Sequence, residues 1–227
     1  MCGVASADRT LLRAALSITV PSSLIGASFG VFGRAAGVDP WLVCGMSVFV
    51  FAGGAQFLVI GLISGGSGPA AAVLATLVLN ARHIAYGLSL SRVVKGSVLR
   101  RALSSHVMID ESTAFALAQP TPELAERAFL TMGIAMFVCW NIGTAVGAFG
   151  AGLIGDPAAF GIDAAFPAGL LAMLAPQLRR PEGRVAAATG AAIAVASTPF
   201  LPAGGPILLA SIGAVAGVLV ANARQPV

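Results

Sequence analysis

Long apolar stretches separated by short charged or helix-breaking gaps dominate this chain. Seven of them, near residues 14–37, 41–63, 70–91, 128–152, 160–178, 185–202 and 206–222, come close to the roughly 20 mostly apolar residues that a bilayer-spanning helix needs. The gaps hold Val38-Asp39-Pro40, Gly65-Gly66-Ser67-Gly68-Pro69, Arg92 to Arg101, Gly155-Asp156-Pro157 and Arg179 to Arg184. No hydrophilic stretch is long enough for a soluble domain, so residues 1–227 read as a single membrane domain. The expected fold class is an all-α polytopic membrane protein with seven, or else eight, transmembrane helices.

Residues 102–118 decide between the two counts. They suit a helix, but His106, Asp110 and Glu111 lie at its middle. A carboxylate at the bilayer centre costs roughly 2.5–3.5 kcal/mol on insertion scales. As an eighth span the segment would have to face a polar cavity; as a polar connecting helix it would not cross. Charge placement favours the second. With the N-terminus outside and 102–118 not crossing, Arg34, Arg92, Lys95, Arg100, Arg101, Arg127, Arg179, Arg180, Arg184 and Arg224 all fall inside, against only Arg9 and Arg13 outside. If the segment crosses, the bias falls to seven against five. The positive-inside tendency therefore points to seven spans with a cytoplasmic C-terminus.

Composition agrees with a lipid environment. Of 227 residues, 57% are hydrophobic and 10% charged, and the mean hydropathy is +0.92. Soluble domains average about 45–50% apolar and about 25% charged. The net charge of +4 sits mostly in the short gaps, where it signals topology, not nucleic-acid binding. Cys2, Cys44 and Cys139 lack the spacing of a disulfide framework or zinc site and read as small apolar residues. Arg9 and Arg13 ahead of Ala14 to Val20 resemble a signal peptide, but Pro21-Ser22-Ser23 interrupts the run, and an uncleaved first span is expected.

The chain also repeats itself. Residues 25–49 laid on 142–166, an offset of 117, agree at eight of 25 positions: Ile25/Ile142, Gly26/Gly143, Gly30/Gly147, Phe32/Phe149, Gly33/Gly150, Asp39/Asp156, Pro40/Pro157 and Phe49/Phe166. This divides the chain into a first half over 14–91, the polar connecting helix over 102–118 and a second half over 128–222. Internal repeats build many secondary transporters, with substrate held at the repeat interface. Seven spans would make the two copies inverted, because three crossings separate their starts; eight would make them parallel.

Three groups of residues stand out within the apolar stretches. Glycines at 26, 30, 33 and 37, at 143, 147 and 150, and at 213 and 217 are spaced to lie near one helix face, where small residues let backbones approach closely. In Ala52-Gly53-Gly54-Ala55-Gln56, the paired glycines invite the helix to break. A half-helix starting beyond Gly54 would offer free N–H groups and a positive dipole end to a carboxylate. Gln56 adds an amide; the alternative is a close-packing site with a satisfied Gln56.

Asn80-Ala81-Arg82-His83-Ile84-Ala85-Tyr86-Gly87 is the third group. Asn80, His83 and Gly87 fall on one helix face, and Arg82 and Tyr86 share a neighbouring one at i, i+4. A guanidinium in hydrocarbon must be paired or reach water, and Asp110 and Glu111 are the available counter-charges. The group either locks helices together or binds a zwitterion or relays protons, with His83 able to titrate near neutral pH. The chain carries no phosphate-binding loop, His-Glu-x-x-His or Gly-x-Ser-x-Gly. An enzyme, a metal site and a cofactor are therefore not expected.

Taken in order, Phe51-Ala52-Gly53-Gly54-Ala55-Gln56-Phe57, Asn80 to Leu90, Ile109-Asp110-Glu111, Trp140-x-x-Gly143-Thr144-x-x-Gly147 and Leu174-Ala175-Pro176 resemble the AzlC-type large subunit of bacterial branched-chain amino acid exporters, over roughly residues 15–220. Gly54 and Ile109 depart from the family pattern, and Pro176 sits a little later than the family proline. The resemblance implies a multi-pass protein of the bacterial inner membrane that exports valine, leucine, isoleucine or methionine beside a small AzlD-type membrane subunit. On a proton-coupled alternating-access reading, Gly53, Gly54, Gln56, Asn80 and Tyr86 face the substrate. Asp110 or Glu111 meets its ammonium group or carries the proton, and Arg82 and His83 set their charge state. The alternative is a non-transporting scaffold or assembly subunit in which the polar groups only hold helices together.

Overall fold

A computed structural model describes residues 2–153, 171, 174–175, 177–201 and 205–223. Among these residues the regular structure is helical, with no strand. Contacts divide the chain into two compact units, Met1–Gln56 with Ala81–Ile162 and Phe57–Asn80 with Asp163–Val227. Each draws on chain from both sides of residues 102–118.

The first helix, α1 (Cys2–Ala35), contains Pro21 and ends at Gly37, whose φ of +80° lets the Val38 N–H reach back to the Gly33 carbonyl at 3.0 Å. Only glycine adopts that conformation without cost. Asp39 then caps α2 (Pro40–Phe49) by accepting from the Trp41 N–H at 2.9 Å, with Pro40 at the first helical position. The Val38-Asp39-Pro40 gap is thus one helix stop followed by one helix start. The stretch expected to span over 41–63 is not continuous. It breaks at Val50, Phe51 and Ala52 and restarts as α3 (Gly53–Ser64).

Next come α4 (Pro69–Asn80) and α5 (Arg82–Ser89), then the short helices α6 (Val98–His106) and α7 (Asp110–Leu117). At 1.5 Å per residue, neither short helix covers half of a hydrocarbon core about 30 Å thick. The polar segment 102–118 therefore folds as parts of two short helices joined by a turn, not as one rod. Thr121 and Pro122 open the long α8 (Pro122–Gly150), with the Thr121 hydroxyl accepting from the Leu124 N–H at 3.3 Å.

Among the described residues, four stretches are long and apolar enough to cross a membrane: Asp8–Ala35, Pro69–Ser89, Pro122–Gly150 and Gly205–Ala223. The expected span over 185–202 forms α9 (Pro181–Ser197), and that over 206–222 forms α10 (Gly205–Ala210) and α11 (Gly213–Ala223). The expected span over 160–178 falls almost wholly outside the described residues, as do the second copy's Asp156, Pro157 and Phe166, and Pro176. Large apolar side chains point outward on the long helices, with Leu24 72% and Val146 64% exposed. Such a surface suits lipid and not water.

In the first unit, α1 packs along α8, and four of the glycines read as contact positions, Gly26, Gly30, Gly143 and Gly147, are where the backbones meet; Gly33 meets the Val43 side chain instead, and Gly37 and Gly150 meet nothing within 4 Å. A Cβ on Gly26 would lie 2.7 Å from the Trp140 carbonyl oxygen; one on Gly30 would overlap the Thr144 carbonyl, one on Gly143 that of Ser23, and one on Gly147 that of Ala27. These four contacts obey a rule. Adding 117 to the α1 residue and subtracting 117 from its α8 partner turns Gly26·Trp140 into Gly143·Ser23, and Gly30·Thr144 into Gly147·Ala27.

Asp8 with Arg127 and Thr19 with Cys139, 119 and 120 residues apart, continue the same register toward the start of both helices. The two helices therefore run in the same direction. Two complete crossings between them, the seven-span arrangement, would leave them antiparallel, so the inverted relationship tied to seven spans is not the one this pair adopts. In the second unit, α9 and α11 meet through Gly190, Gly213 and Gly217, with the Gly190 nitrogen 2.5 Å from where a Cβ on Gly213 would sit.

Candidate functional site

Breaking a helix leaves the carbonyls at the end of α2 and the N–H groups at the start of α3 without partners in their own helices. Side chains of the first unit take up the carbonyl side. Gln56, fully buried, donates its amide nitrogen to the Val50 carbonyl at 2.7 Å and, more distantly, to that of Ser47 at 3.4 Å. His106, at the end of α6, lies with Nε2 2.8 Å from the Val48 carbonyl, and its ring packs near Phe51 and Phe137.

On its other end, the Gln56 side-chain oxygen accepts the Trp140 indole N–H at 2.9 Å. The Ser47 hydroxyl donates to that of Thr144 at 3.2 Å, fixing α2 to α8 once more. Gly53 sits against the Trp140 ring, where a Cβ would come within 2.7 Å of a ring carbon. The break expected near Gly53 and Gly54 is present and begins three residues earlier than expected. Both ends of the Gln56 amide are already engaged. The first-turn N–H groups of Gly53, Gly54 and Ala55 come before the first intrahelical bond, Gln56 N–H to Ala52 at 3.0 Å.

The second cluster lies where α5 meets α7. Arg82 Nη1 stands 3.7 Å from Asp110 Oδ2, with side-chain exposures of 25% and 47%. Tyr86, one turn after Arg82, interacts with Arg82, Asp110 and Glu111. His83 stacks edge-on against Tyr86, ring centres 5.4 Å apart. Beneath them Tyr86 packs on a core of Leu90, Met108, Ala116, Ala125 and Phe129.

The Ser112 hydroxyl accepts from the Ile109 N–H at 3.0 Å and donates to the Val107 carbonyl at 2.9 Å, shaping the turn into α7. That places Asp110 and Glu111 in the first turn of α7, where the helix dipole favours negative charge. Burial, and after it the neighbouring Asp110 carboxylate, push the Glu111 carboxyl above the usual carboxylate range, against the opposing pull of its own backbone N–H and of Arg82. Two buried polar atoms have no hydrogen-bond partner here, Arg82 Nε and Thr113 Oγ1.

The structure thus brings Arg82, His83, Tyr86, Asp110 and Glu111 into one group, and Gly53, Gly54 and Gln56 into another. Asn80 is half-buried at the end of α4, in the other compact unit. Trp140, Ser47, Thr144, His106 and Thr113 did not emerge from the sequence as site residues. Trp140 and Thr144 carried a signal, a one-turn spacing on an apolar helix. His106 showed only as a polar residue within 102–118, and Ser47 and Thr113 carried no signal, since each acts on a partner distant in the chain or through the absence of one.

Residues 17–154 match the family model described as AzlC protein. A Bacillus subtilis relative named "Branched-chain amino acid transport protein AzlC" is 26% identical over 216 residues, covering 91% of this chain and 83% of the relative. A Helicobacter pylori protein described as an uncharacterized membrane protein is 28% identical over 185 residues, 79% of each chain. The Escherichia coli inner membrane protein YgaZ is 29% identical over 150 residues, 63% of this chain and 61% of that protein. No solved structure matches.

Proposed function

The chain belongs to the AzlC family, and from that premise we propose that it exports branched-chain or other hydrophobic amino acids, Val, Leu, Ile or Met, by proton-coupled alternating access in the bacterial inner membrane. We further propose a small AzlD-type membrane subunit as its partner. The Bacillus relative is named a branched-chain amino acid transport protein, and the apolar helices suit a multi-pass membrane protein.

The observation that carries the mechanism is the contact of Arg82 with Asp110, with Tyr86 and Glu111 beside it. Ionisable side chains in a membrane protein are costly and gather where solute or protons pass. A basic and two acidic groups in one cluster suit a zwitterionic solute plus a proton. The 117-residue exchange rule between α1 and α8 supports reading the chain as two parallel copies about an axis along the helices, an arrangement used by transporters that rock one half against the other.

The test is counterflow of labelled leucine into proteoliposomes holding the chain, with and without its partner, for wild type, Asp110→Asn and Glu111→Gln. Exchange by wild type, lost or uncoupled from a pH gradient in the variants, supports the proposal; full coupled export by both variants removes the acids from the mechanism. A second reading, a non-transporting scaffold, is favoured by Gln56, whose amide is consumed by Trp140 and Val50. In that reading the partner or another protein moves the solute, so the chain alone gives no counterflow, and any counterflow with the partner present is unchanged by Asp110→Asn and Glu111→Gln.

A further inference from the structure

The cluster between α5 and α7 holds two unused hydrogen-bond donors beside a carboxylate. Arg82 Nε is buried without a partner, and the guanidinium touches Asp110 only at 3.7 Å, beyond hydrogen-bonding distance. Thr113 is 5% exposed, and its hydroxyl oxygen is buried with no partner. This is unusual for a helical threonine. Thr76, Thr189 and Thr198 each donate to the carbonyl four residues back at 2.7 Å, the ordinary local solution. Thr113 follows Asp110 by three residues on α7, so it shares the helix face whose carboxylate Arg82 touches.

We propose that Arg82 and Thr113 bind the carboxylate of the transported amino acid and that Asp110 receives its ammonium group, making an α-amino acid zwitterion the recognised ligand. This deepens, and rests on, the reading of the chain as an amino-acid transporter. It moves the carboxylate away from Gly53, Gly54 and Gln56. There both ends of the Gln56 amide are already engaged, by Val50 and by Trp140, whereas at Arg82 a carboxylate reaches the Nε–H and the Thr113 hydroxyl, which have no hydrogen-bond partner. The planar guanidinium offers Nε–H and an Nη–H in the fork that matches two carboxylate oxygens, and the threonine hydroxyl supplies a third donor. Asp110 disfavours a bare anion at the same place, since like charges repel. A ligand that carries a cation close to its carboxylate, as an α-amino acid does, satisfies both sides. The side chain of the amino acid takes no part in this recognition.

The test uses the full-length chain in lipid nanodiscs, with labelled L-leucine as probe and two competitors: 4-methylpentanoate, which lacks the ammonium group, and 3-methylbutylamine, which lacks the carboxylate. Wild type should bind leucine at least about tenfold more tightly than either, one hydrogen bond to a charged group being worth about that much or more. Thr113→Val should weaken leucine by about tenfold and leave 3-methylbutylamine unchanged, with Thr113→Ser restoring leucine binding. Arg82→Lys should remove most of the preference for leucine over the amine. Wild-type leucine affinity in Thr113→Val, or an undiminished preference in Arg82→Lys, overturns the assignment while leaving the transport reading intact. No leucine binding or counterflow by wild type overturns both.

Discussion

Trp140 donates its indole N–H to the Gln56 side-chain oxygen over 2.9 Å, while its ring fills the space that a side chain on Gly53 would need. One residue of α8 thereby fixes both the polar and the apolar side of the broken helix. Trp140→Phe keeps much of the ring but leaves a buried carbonyl oxygen without its donor, a loss of roughly 1–3 kcal/mol. A lower melting temperature in detergent is expected. Gly53→Ala should destabilise the same contact from the other side by pushing the ring away. Combining Trp140→Phe with Gln56→Leu should cost less than the sum of the single changes, because the orphaned amide is then gone.

Close backbone contact between α1 and α8 makes an equally specific demand. A Cβ on Gly147 would overlap the backbone of Ala27, whereas one on Gly150, a single turn later, meets nothing within 4 Å. Gly147→Val should therefore force the helices apart, at a cost of about 1–3 kcal/mol or more for an overpacked contact that backbone cannot relieve. Gly150→Ala should be neutral or slightly stabilising, since alanine is the better helix former by up to about 1 kcal/mol. Thermal stability and the yield of monodisperse protein in detergent separate the two.

These contacts show what could be read from the sequence and what could not. The glycine spacing announced close packing, and the 117-residue offset even held the register, because a small-residue stripe is a local pattern. It did not say which way the partner helix runs, since Gly-x₃-Gly serves parallel and antiparallel pairs alike. Within 41–63 the glycine pair announced a break but not where it starts, because hydropathy sums over a window and ignores that Val50, Phe51 and Ala52 leave the helix while remaining apolar. At Arg82, the need for a counter-charge was legible from burial cost alone, and Asp110 is that partner. Thr113 was illegible, because its interest lies in a hydrogen bond that a helical threonine normally makes and this one does not.

The Arg82 and Asp110 pair should contribute little to stability. Both side chains are partly exposed and stand 3.7 Å apart, and such pairs typically contribute about 0–1 kcal/mol. Asp110→Asn should therefore leave the melting temperature within a few degrees of wild type. Leucine counterflow should nevertheless fall by about tenfold or more, if a charged hydrogen bond to the ammonium group is lost. A variant that melts early and transports normally would reverse the assignment of this pair from solute recognition to helix locking.

Glu111 sets the pH dependence. Burial first, then Asp110, raises its carboxyl in the folded protein, while in the unfolded chain it titrates near the ordinary value of about 4.3. Between those two values the folded state keeps a proton that the unfolded state has released. Stability from this group is therefore full below the ordinary value and is lost as pH rises through the folded one. Glu111→Gln mimics the protonated form and should not show that decline, so its melting temperature should gain on wild type as pH climbs through the window. If Glu111 also carries the coupling proton, the same variant should exchange leucine at equal pH on both sides yet fail to accumulate it against a gradient. A wild type and variant with parallel melting curves across pH would show that the carboxyl is not held protonated by its surroundings.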